Sequence, residues 1–240
     1  MKCIILAAGY ATRLYPLTEN FPKPLLKVGR KTILDWLIDD IETSGKIDEY
    51  IVISNHKFFE FFEDWANKKN LNIKVIDDGT ITNEGRLGAV RDIQLGVSCD
   101  DSYMVIAGDN LLDFSITGFI DFFGNKKSSC VMTHVENDLR KRQKTAIITF
   151  DEAGLIDSYE EKPISPKGNH AVPPFYIYTS EDIACIDEAL SEGCGYDAPG
   201  SFAAWLSKKT KVYAYQMPGK RYDIGDMESY RSTCKVFEEA

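Results

Sequence analysis

The sequence predicts an α/β fold built on a mostly parallel mixed sheet. Two observations carry that prediction. Short apolar runs alternate with longer segments of helical periodicity, the pattern of βαβ units. Polar clusters bearing glycine or aspartate stand directly after several of those runs, at the strand ends where such sheets present their loops.

The elements follow in order. Residues 2–8 are an apolar run ending at Gly9, a buried strand and then a loop. Thr32 and Asp35 have the spacing of a capping box. Ile33, Leu34, Leu37, Ile38 and Ile41 then repeat at helical spacing as far as Gly45. Residues 50–54 predict the next strand, and Phe58, Phe61, Phe62 and Trp65 a second helix whose aromatic stripe faces the core. A third strand is expected at 71–76, a helix from Leu87 to Val97, and a fourth strand at 103–107 that ends in Gly108-Asp109-Asn110. Ile116, Phe119, Ile120 and Phe123 mark another helix, with Gly124 as its stop. The pattern changes after about residue 128. Residues 146–150 and 155–159 flank a short loop as a hairpin. Segment 160–174 holds four prolines and is a rigid connection. A strand at 175–179, a helix at 181–191, a strand at 211–216 and a helix at 226–238 complete the chain, and nothing suggests that its two halves separate as independent domains.

Composition narrows the function. Apolar residues make up 44% and charged residues 27%, ordinary for a soluble globular chain. No run approaches the ~18 apolar residues of a membrane span, and the N-terminal run reads as a strand, not an export signal. A net charge of -9 argues against nucleic acid as a partner. Within that acidic chain, residues 10–34 carry Arg13, Lys23, Lys27, Arg30 and Lys31 against only Glu19, a basic island suited to a small anionic substrate. Cysteines 3, 99, 130, 185, 194 and 234 match no zinc or C-x-x-C spacing, so a reduced, cytoplasmic protein is expected. His56, His134 and His170 show no metal spacing either and read as structural or surface residues, and Tyr10, Tyr15 and Trp36 as packing.

Three polar clusters fall at strand ends or after them: Gly9-Tyr-Ala-Thr-Arg13, Gly108-Asp109-Asn110 and Tyr222-Asp223-Ile-Gly225. Gly9 lets backbone amides approach a phosphate. Arg13 offers a planar fork to phosphate oxygens and Lys23 a mobile point charge. Asp109 and Asp223 are oxygen donors for a hard cation such as Mg²⁺. Together they make a clamp for a polyphosphate.

Leu6-Ala-Ala-Gly-Tyr-Ala-Thr-Arg-Leu-Tyr-Pro-Leu-Thr18, with Pro22-Lys-Pro-Leu25 after it, resembles the signature of sugar-1-phosphate nucleotidylyltransferases. The resemblance continues through Gly108-Asp109-Asn110, Glu160-Glu-Lys-Pro163 and Tyr222-Asp223-Ile-Gly225, in the family's order and over nearly the whole chain. It is nearest the short glucose-1-phosphate thymidylyltransferase-like group, without the hexapeptide-repeat tail of many relatives. The resemblance implies a Rossmann-like nucleotidyltransferase fold, a single domain over residues 1–240 with a nucleotide-binding half at 1–127 and a sugar-phosphate half at 128–240. It implies an enzyme that joins an NTP to a sugar 1-phosphate, giving an NDP-sugar and pyrophosphate, with a homo-oligomer left open. By the same resemblance Ala7, Ala8 and Gly9 line base and ribose, and Asn83 and Gly88 belong to the base-reading loop. Arg13 holds the β- and γ-phosphates, Lys23 bridges the α-phosphate and the sugar phosphate, and Asp109 and Asp223 bind Mg²⁺. Glu161 and Lys162 contact the sugar and its phosphate, with Tyr176 beside them.

Three departures bear on specificity. Asn83 stands where a glutamine is usual in thymidylyl- and uridylyltransferases; it keeps a side-chain amide, so dTTP or UTP stays the expected substrate. Ala11 replaces a glycine, and a slightly shifted loop is expected. Pro173-Pro174 replaces a glycine near the sugar and removes a backbone donor. Two rivals stand beside this reading, the first on the same fold and the second from another class. One is a cytidylyltransferase for phosphocholine or another alcohol phosphate, with Tyr176, Tyr196 or Trp205 caging the ammonium. The other is a non-catalytic NDP-sugar-binding regulatory protein, from which Arg13 or Asp109 would be missing. A dinucleotide-dependent oxidoreductase is excluded because the first loop lacks G-x-G-x-x-G.

Overall fold

A computed structural model describes residues 1–98 and 100–238; Cys99 lies outside the described residues. The strands are β1 (Lys2–Leu6), β2 (Lys27–Val28), β3 (Lys31–Thr32), β4 (Glu49–Ser54), β5 (Ile73–Asp77), β6 (Tyr103–Ala107), β7 (Asn110–Leu112), β8 (Cys130–Val135), β9 (Ala146–Phe150), β10 (Ile156–Glu161), β11 (His170–Val172), β12 (Phe175–Tyr178), β13 (Tyr213–Gln216) and β14 (Arg221–Asp223). The helices are α1 (Ile33–Glu42), α2 (Phe59–Ala66), α3 (Ala89–Gly96), α4 (Thr117–Lys126), α5 (Leu139–Arg142), α6 (Ser180–Ile183), α7 (Ile186–Ser191), α8 (Gly200–Leu206) and α9 (Met227–Val236).

The main sheet runs β10-β9-β11-β8-β12-β6-β1-β4-β5, with β13 parallel to β8. The β6-β1-β4-β5 portion is wholly parallel. Strand β12 joins it antiparallel to β6 and β8, and the β9–β10 hairpin forms the far edge. From β1 the chain moves outward through α1 to β4 and α2 to β5, then returns to the other side of β1 as β6. The strand order therefore reverses between β1 and β6, the place where open α/β sheets bind ligands at their carboxyl ends.

Period-two alternation divides the core between the two faces. Cys3 and Ile5 point into one cluster with Leu34, Leu37, Ile38 and Ile41 of α1 and Phe62 and Trp65 of α2. Ile4 points the other way, into a cluster with Val90 and Ile93 of α3 and Phe202, Ala203 and Leu206 of α8. Helices on both faces bury β1 on both sides, so it reads as a continuous apolar run rather than an alternating one. Thr32 caps α1 in the expected capping box, and Asp226 caps α9 in another.

Several expectations need correction. Gly124 does not stop α4, which continues to Lys126 and closes at Lys127 in the left-handed region. The helix expected at 181–191 is broken into α6 and α7. Phe61 of the aromatic stripe is exposed, while Phe58, Phe62 and Trp65 are buried. Tyr222 and Asp223 do not simply follow β13: they form β14, which pairs with β7. The short helices α5 and α8 were not among the expected elements.

Candidate active site

Three segments meet at the switch point, and one small apolar cluster holds them together. Leu14, Leu111 and Ile224 are each almost fully buried in it, with Val28, Ile33 and Phe237. Each adjoins a polar residue of interest: Leu14 follows Arg13, Leu111 follows Asp109-Asn110, and Ile224 follows Asp223. Burying a side chain of this size stabilises by about 1.5–3 kcal/mol, so the charged neighbours are fixed by apolar anchors next in sequence. Hydrogen bonds add to this: Thr18 Oγ1 donates to the Ala11 carbonyl at 2.8 Å. Ala11 has φ +47 and ψ +42, so this loop position does take the left-handed backbone that favours glycine.

The ladder between β7 and β14 pairs Asp223 with Asn110 and so brings Asp223 beside Asp109, across 114 residues of chain (223 − 109). A chain of polar contacts then fixes Asp109. Lys23 Nζ, on a residue only 7% exposed, donates to Asp109 Oδ2 at 2.6 Å. Asn110 Nδ2 donates to Asp109 Oδ1 at 2.8 Å. Arg221 Nη1 donates to Asn110 Oδ1 at 2.6 Å and lies 3.5 Å from Asp223.

A cavity of about 440 Å³ opens along this constellation and is lined by Ala7, Gly9, Arg13, Lys23, Asn83, Arg86, Asp109 and Gly225, among others. Gly9 has open space where a side chain would project and needs no positive φ, so no protein contact requires a glycine there. Arg13, Ala107 and Asp109 also line a second cavity of about 470 Å³, which continues to His134, Lys141, Lys144, Pro174, Pro199, Arg221 and Asp223. The two form one cleft, within the range of small-molecule sites.

The expected residues are thus partly gathered. Ala7, Gly9, Arg13, Lys23, Asn83, Asp109 and Asp223 share the cleft. Ala8 is buried behind it, its carbonyl accepting from Asn55 Nδ2 at 3.0 Å. Gly88 is buried against Tyr196 instead of lining the cavity. Glu161 points away from the cleft, beneath Gly200: a side chain added to that glycine would meet a Glu161 carboxylate oxygen at 2.6 Å. It borders a different cavity with Cys194, Trp205 and Lys208, and burial raises its pKa. Lys162 is exposed, with φ +48, and lines neither part of the cleft. Tyr176 is 2% exposed and stacked on Tyr178, too deep to touch a sugar. The proposed aromatic cage does not form, since Tyr176 is buried, Trp205 borders the other cavity and Tyr196 carries Arg91 on its ring.

Sequence reasoning missed Arg86, Arg221, Lys141 and Lys144, and took His134 for a structural or surface residue. Arg221 was detectable in one respect: it stands two residues before Asp223 on a strand, and so shares its face. His134 is half-buried on the cleft wall, and burial together with Arg221 lowers its pKa, favouring the neutral ring.

The cleft fits Mg²⁺ on its donor chemistry. That ion commonly takes one or two carboxylates and completes its shell with water and substrate phosphates. Asp109 and Asp223 supply two carboxylates, and the described residues contain no cluster of three or more His, Cys, Asp or Glu that could hold a metal by itself. No helix among the described residues is long and apolar enough to cross a membrane.

The chain is similar to the UTP–glucose-1-phosphate uridylyltransferase of Synechocystis sp., at 25% identity over 96% of this chain and 61% of the relative. It is similar to the glucose-1-phosphate adenylyltransferase of Fervidobacterium nodosum, at 25% over 96% of this chain and 59% of the relative. It therefore spans about three fifths of the length of these relatives. A solved UDP-glucose pyrophosphorylase complexed with UDP-glucose shares the fold, with TM-score 0.83 and 23% identity over 98% of this chain and 97% of that one. The model of the nucleotidyl transferase family matches residues 2–239, a span that takes in every segment of the cleft, and the chain belongs to that family.

Proposed function

We propose that the chain catalyses nucleotidyl transfer from an NTP to a sugar 1-phosphate, giving an NDP-sugar and pyrophosphate. The observation that supports it best is the convergence of Arg13, Lys23 and Asp109 on one cleft at the strand-order reversal, with Asn83 and Arg86 along the same wall. A sugar-phosphate oxygen attacks the α-phosphorus in line; a P–O bond forms, the bond to the β-phosphate oxygen breaks, and pyrophosphate leaves with the electron pair. The attacking oxygen is already anionic, so no general base is needed, and the protein's work is positioning and charge neutralisation.

Arg13 faces the departing pyrophosphate, and Lys23 stands between the α-phosphate and the acceptor phosphate. Asp109 and Asp223 would hold Mg²⁺, which when bound neutralises phosphate charge. On the acceptor side the positive charge comes from Arg221, Lys141 and Lys144 in place of Lys162, since these three line the cleft and Lys162 does not. Asn83 and the backbone near Ala7 read the base, with dTTP or UTP preferred through the Asn83 amide. A reduced, cytoplasmic setting and a single domain over residues 1–240 belong to the same proposal.

The test is pyrophosphate release with Mg²⁺ over a grid of dTTP, UTP, CTP, GTP and ATP against several sugar 1-phosphates. Release with at least one pair is expected, greatest with dTTP or UTP. No release with any pair would reject the transferase reading, and a strong preference for GTP or ATP would reject the role of Asn83.

A further inference from the structure

The loop 82–88 places Asn83 and Arg86 on the cavity wall without being part of any strand or helix. Its internal bonds, Gly85 N to Thr82 O at 3.2 Å and Arg86 Nη1 to Asn83 O at 3.1 Å, shape it but do not fix its position against the sheet. The contacts leading out of it run to the other half of the chain. Arg86 Nε and Nη2 each lie 3.0 Å from Asp197 Oδ1. Ala89 N and Val90 N, orphan donors of the first turn of α3, reach the carbonyls of Asp197 at 3.3 Å and Tyr196 at 2.9 Å. The Arg91 guanidinium lies over the Tyr196 ring, 4.7 Å from its centroid. Gly88, at φ +95, makes the approach feasible: a Cβ there would stand 2.6 Å from the Tyr196 carbonyl oxygen.

We propose that segment 196–200 is a clamp on the base-side loop, and that Asp197 is a positioning residue for nucleotide selection. The proposal rests on the transferase reading of the cleft. Asp197 touches no substrate in it; it acts through Arg86, whose guanidinium grips the Asn83 carbonyl with one nitrogen and Asp197 with two others. The same five residues extend to the acceptor end, where Pro199 lines the cleft together with Asp109. One short stretch thus spans the distance between the base loop and the acceptor side, and nucleotide choice depends on a residue outside the N-terminal half, which supplies most of the nucleotide wall.

The experiment compares wild type, Asp197→Ala and Asp197→Glu in steady-state kinetics over the four ribonucleoside triphosphates and dTTP, with one sugar 1-phosphate, alongside thermal melts. The Arg86–Asp197 pair is half-exposed, so its loss is read on the scale of a surface ion pair, about two- to fivefold. Asp197→Ala is expected to raise KM for the preferred triphosphate by that factor and to lower its advantage over the next one similarly, with kcat and melting temperature held. Asp197→Glu, which keeps the carboxylate, is expected to retain the wild-type profile. An Asp197→Ala profile like that of wild type would overturn the clamp alone. So would an equal fall in kcat for every triphosphate together with a lower melting temperature, the signature of a merely structural residue. A wild-type protein that turns over no triphosphate would overturn the transferase reading, and the clamp with it.

Discussion

Replacing Asp109 by asparagine sets a conflict that the local hydrogen bonds cannot resolve. Both carboxylate oxygens accept: Oδ2 from the Lys23 ammonium and Oδ1 from the Asn110 amide. Asn110 cannot turn its amide to help. Its Oδ1 is held by Arg221, and its Nδ2 also donates to the Ala107 carbonyl at 3.2 Å. An asparagine at 109 offers one oxygen and one NH₂, so one donor must face another donor whichever way it is placed. A lost or opposed partner costs about 1–3 kcal/mol when buried. The Asp109 side chain is 35% exposed, so water relieves part of this, and we expect about 1–2 kcal/mol. For a chain of this size that lowers Tm by roughly 2–8 °C. Asp223→Asn behaves differently. That side chain is 53% exposed and its ion-pair contact is Arg221 at 3.5 Å, so its stability should move by no more than about 0.5 kcal/mol. If both carboxylates hold Mg²⁺, both variants lose turnover while only Asp109→Asn loses stability. Urea denaturation of the metal-free proteins, paired with Mg²⁺-dependent pyrophosphate release, reads both quantities. An Asp109→Asn variant as stable as wild type would refute the hydrogen-bond argument, and near-normal kcat in either variant would remove that residue from the metal site.

Three further outcomes are expected. Arg13→Ala should cost at least ~10²-fold in kcat/KM, the scale of a preorganised charge contact, with little change in melting because Arg13 is exposed; an unchanged kcat/KM would dismiss it. Ala11→Gly relieves a left-handed backbone that costs an L-residue about 1–2 kcal/mol and adds about 0.4–1 kcal/mol of unfolded-state entropy. The net gain should be between about 0 and about 1.6 kcal/mol by urea melts, and a loss of stability would count against the strain at φ +47. Asp92, 7% exposed on α3, has its pKa pushed up to about 7 by burial and then by Asp78. In the unfolded chain it ionises near 3.9. Between these values the native state holds the extra proton, so stability falls as pH rises from about 4 to about 7, by up to roughly 4 kcal/mol. Asp92→Asn should remove that slope, and curves of stability against pH that stay parallel in variant and wild type would refute it.

The parallel half was readable because its signals are local. Ile4 and Ile5 lie in an unbroken apolar run, the form taken by a strand covered on both faces, and Thr32 and Asp35 announce α1 within four residues. Arg13, Lys23 and Asp109 were readable for a similar reason: each lies in a loop just after a strand, or in the signature that follows one. What escaped depends on distant partners. The three-residue strands β7 and β14 are too short to show periodicity, and the ladder between them exists only once Leu111 and Ile224 share a core. Glu161 and Lys162 are neighbours in a motif, but β10 ends there. Glu161 turns under α8 and Lys162 takes a left-handed backbone into solvent, a divergence that side-chain chemistry does not encode.

The division of labour within the cleft follows from the sheet. Strands β1 and β6 are adjacent and parallel, with Leu6 opposite Ala107, so the loops after them leave the same edge and carry Arg13 and Asp109 to one place. Both strands are buried through their middle residues, a support that suits groups proposed to meet a phosphate at fixed distance. The loop proposed to select the base has no such support, because 82–88 follows β5, two strands beyond β1, and lies outside any strand or helix. The α3 helix that follows it is pinned by Val90 and Ile93 in the core, but its first turn and the loop before it are completed by Tyr196 and Asp197. On the proposed reading both ends of the cleft depend on distant pairings, Leu6 with Ala107 and Asn110 with Asp223 at the phosphate end and Arg86 with Asp197 at the base end. On that reading, substitutions at the loop and its clamp are expected to shift nucleotide preference while Arg13, Lys23 and Asp109 stay as they are.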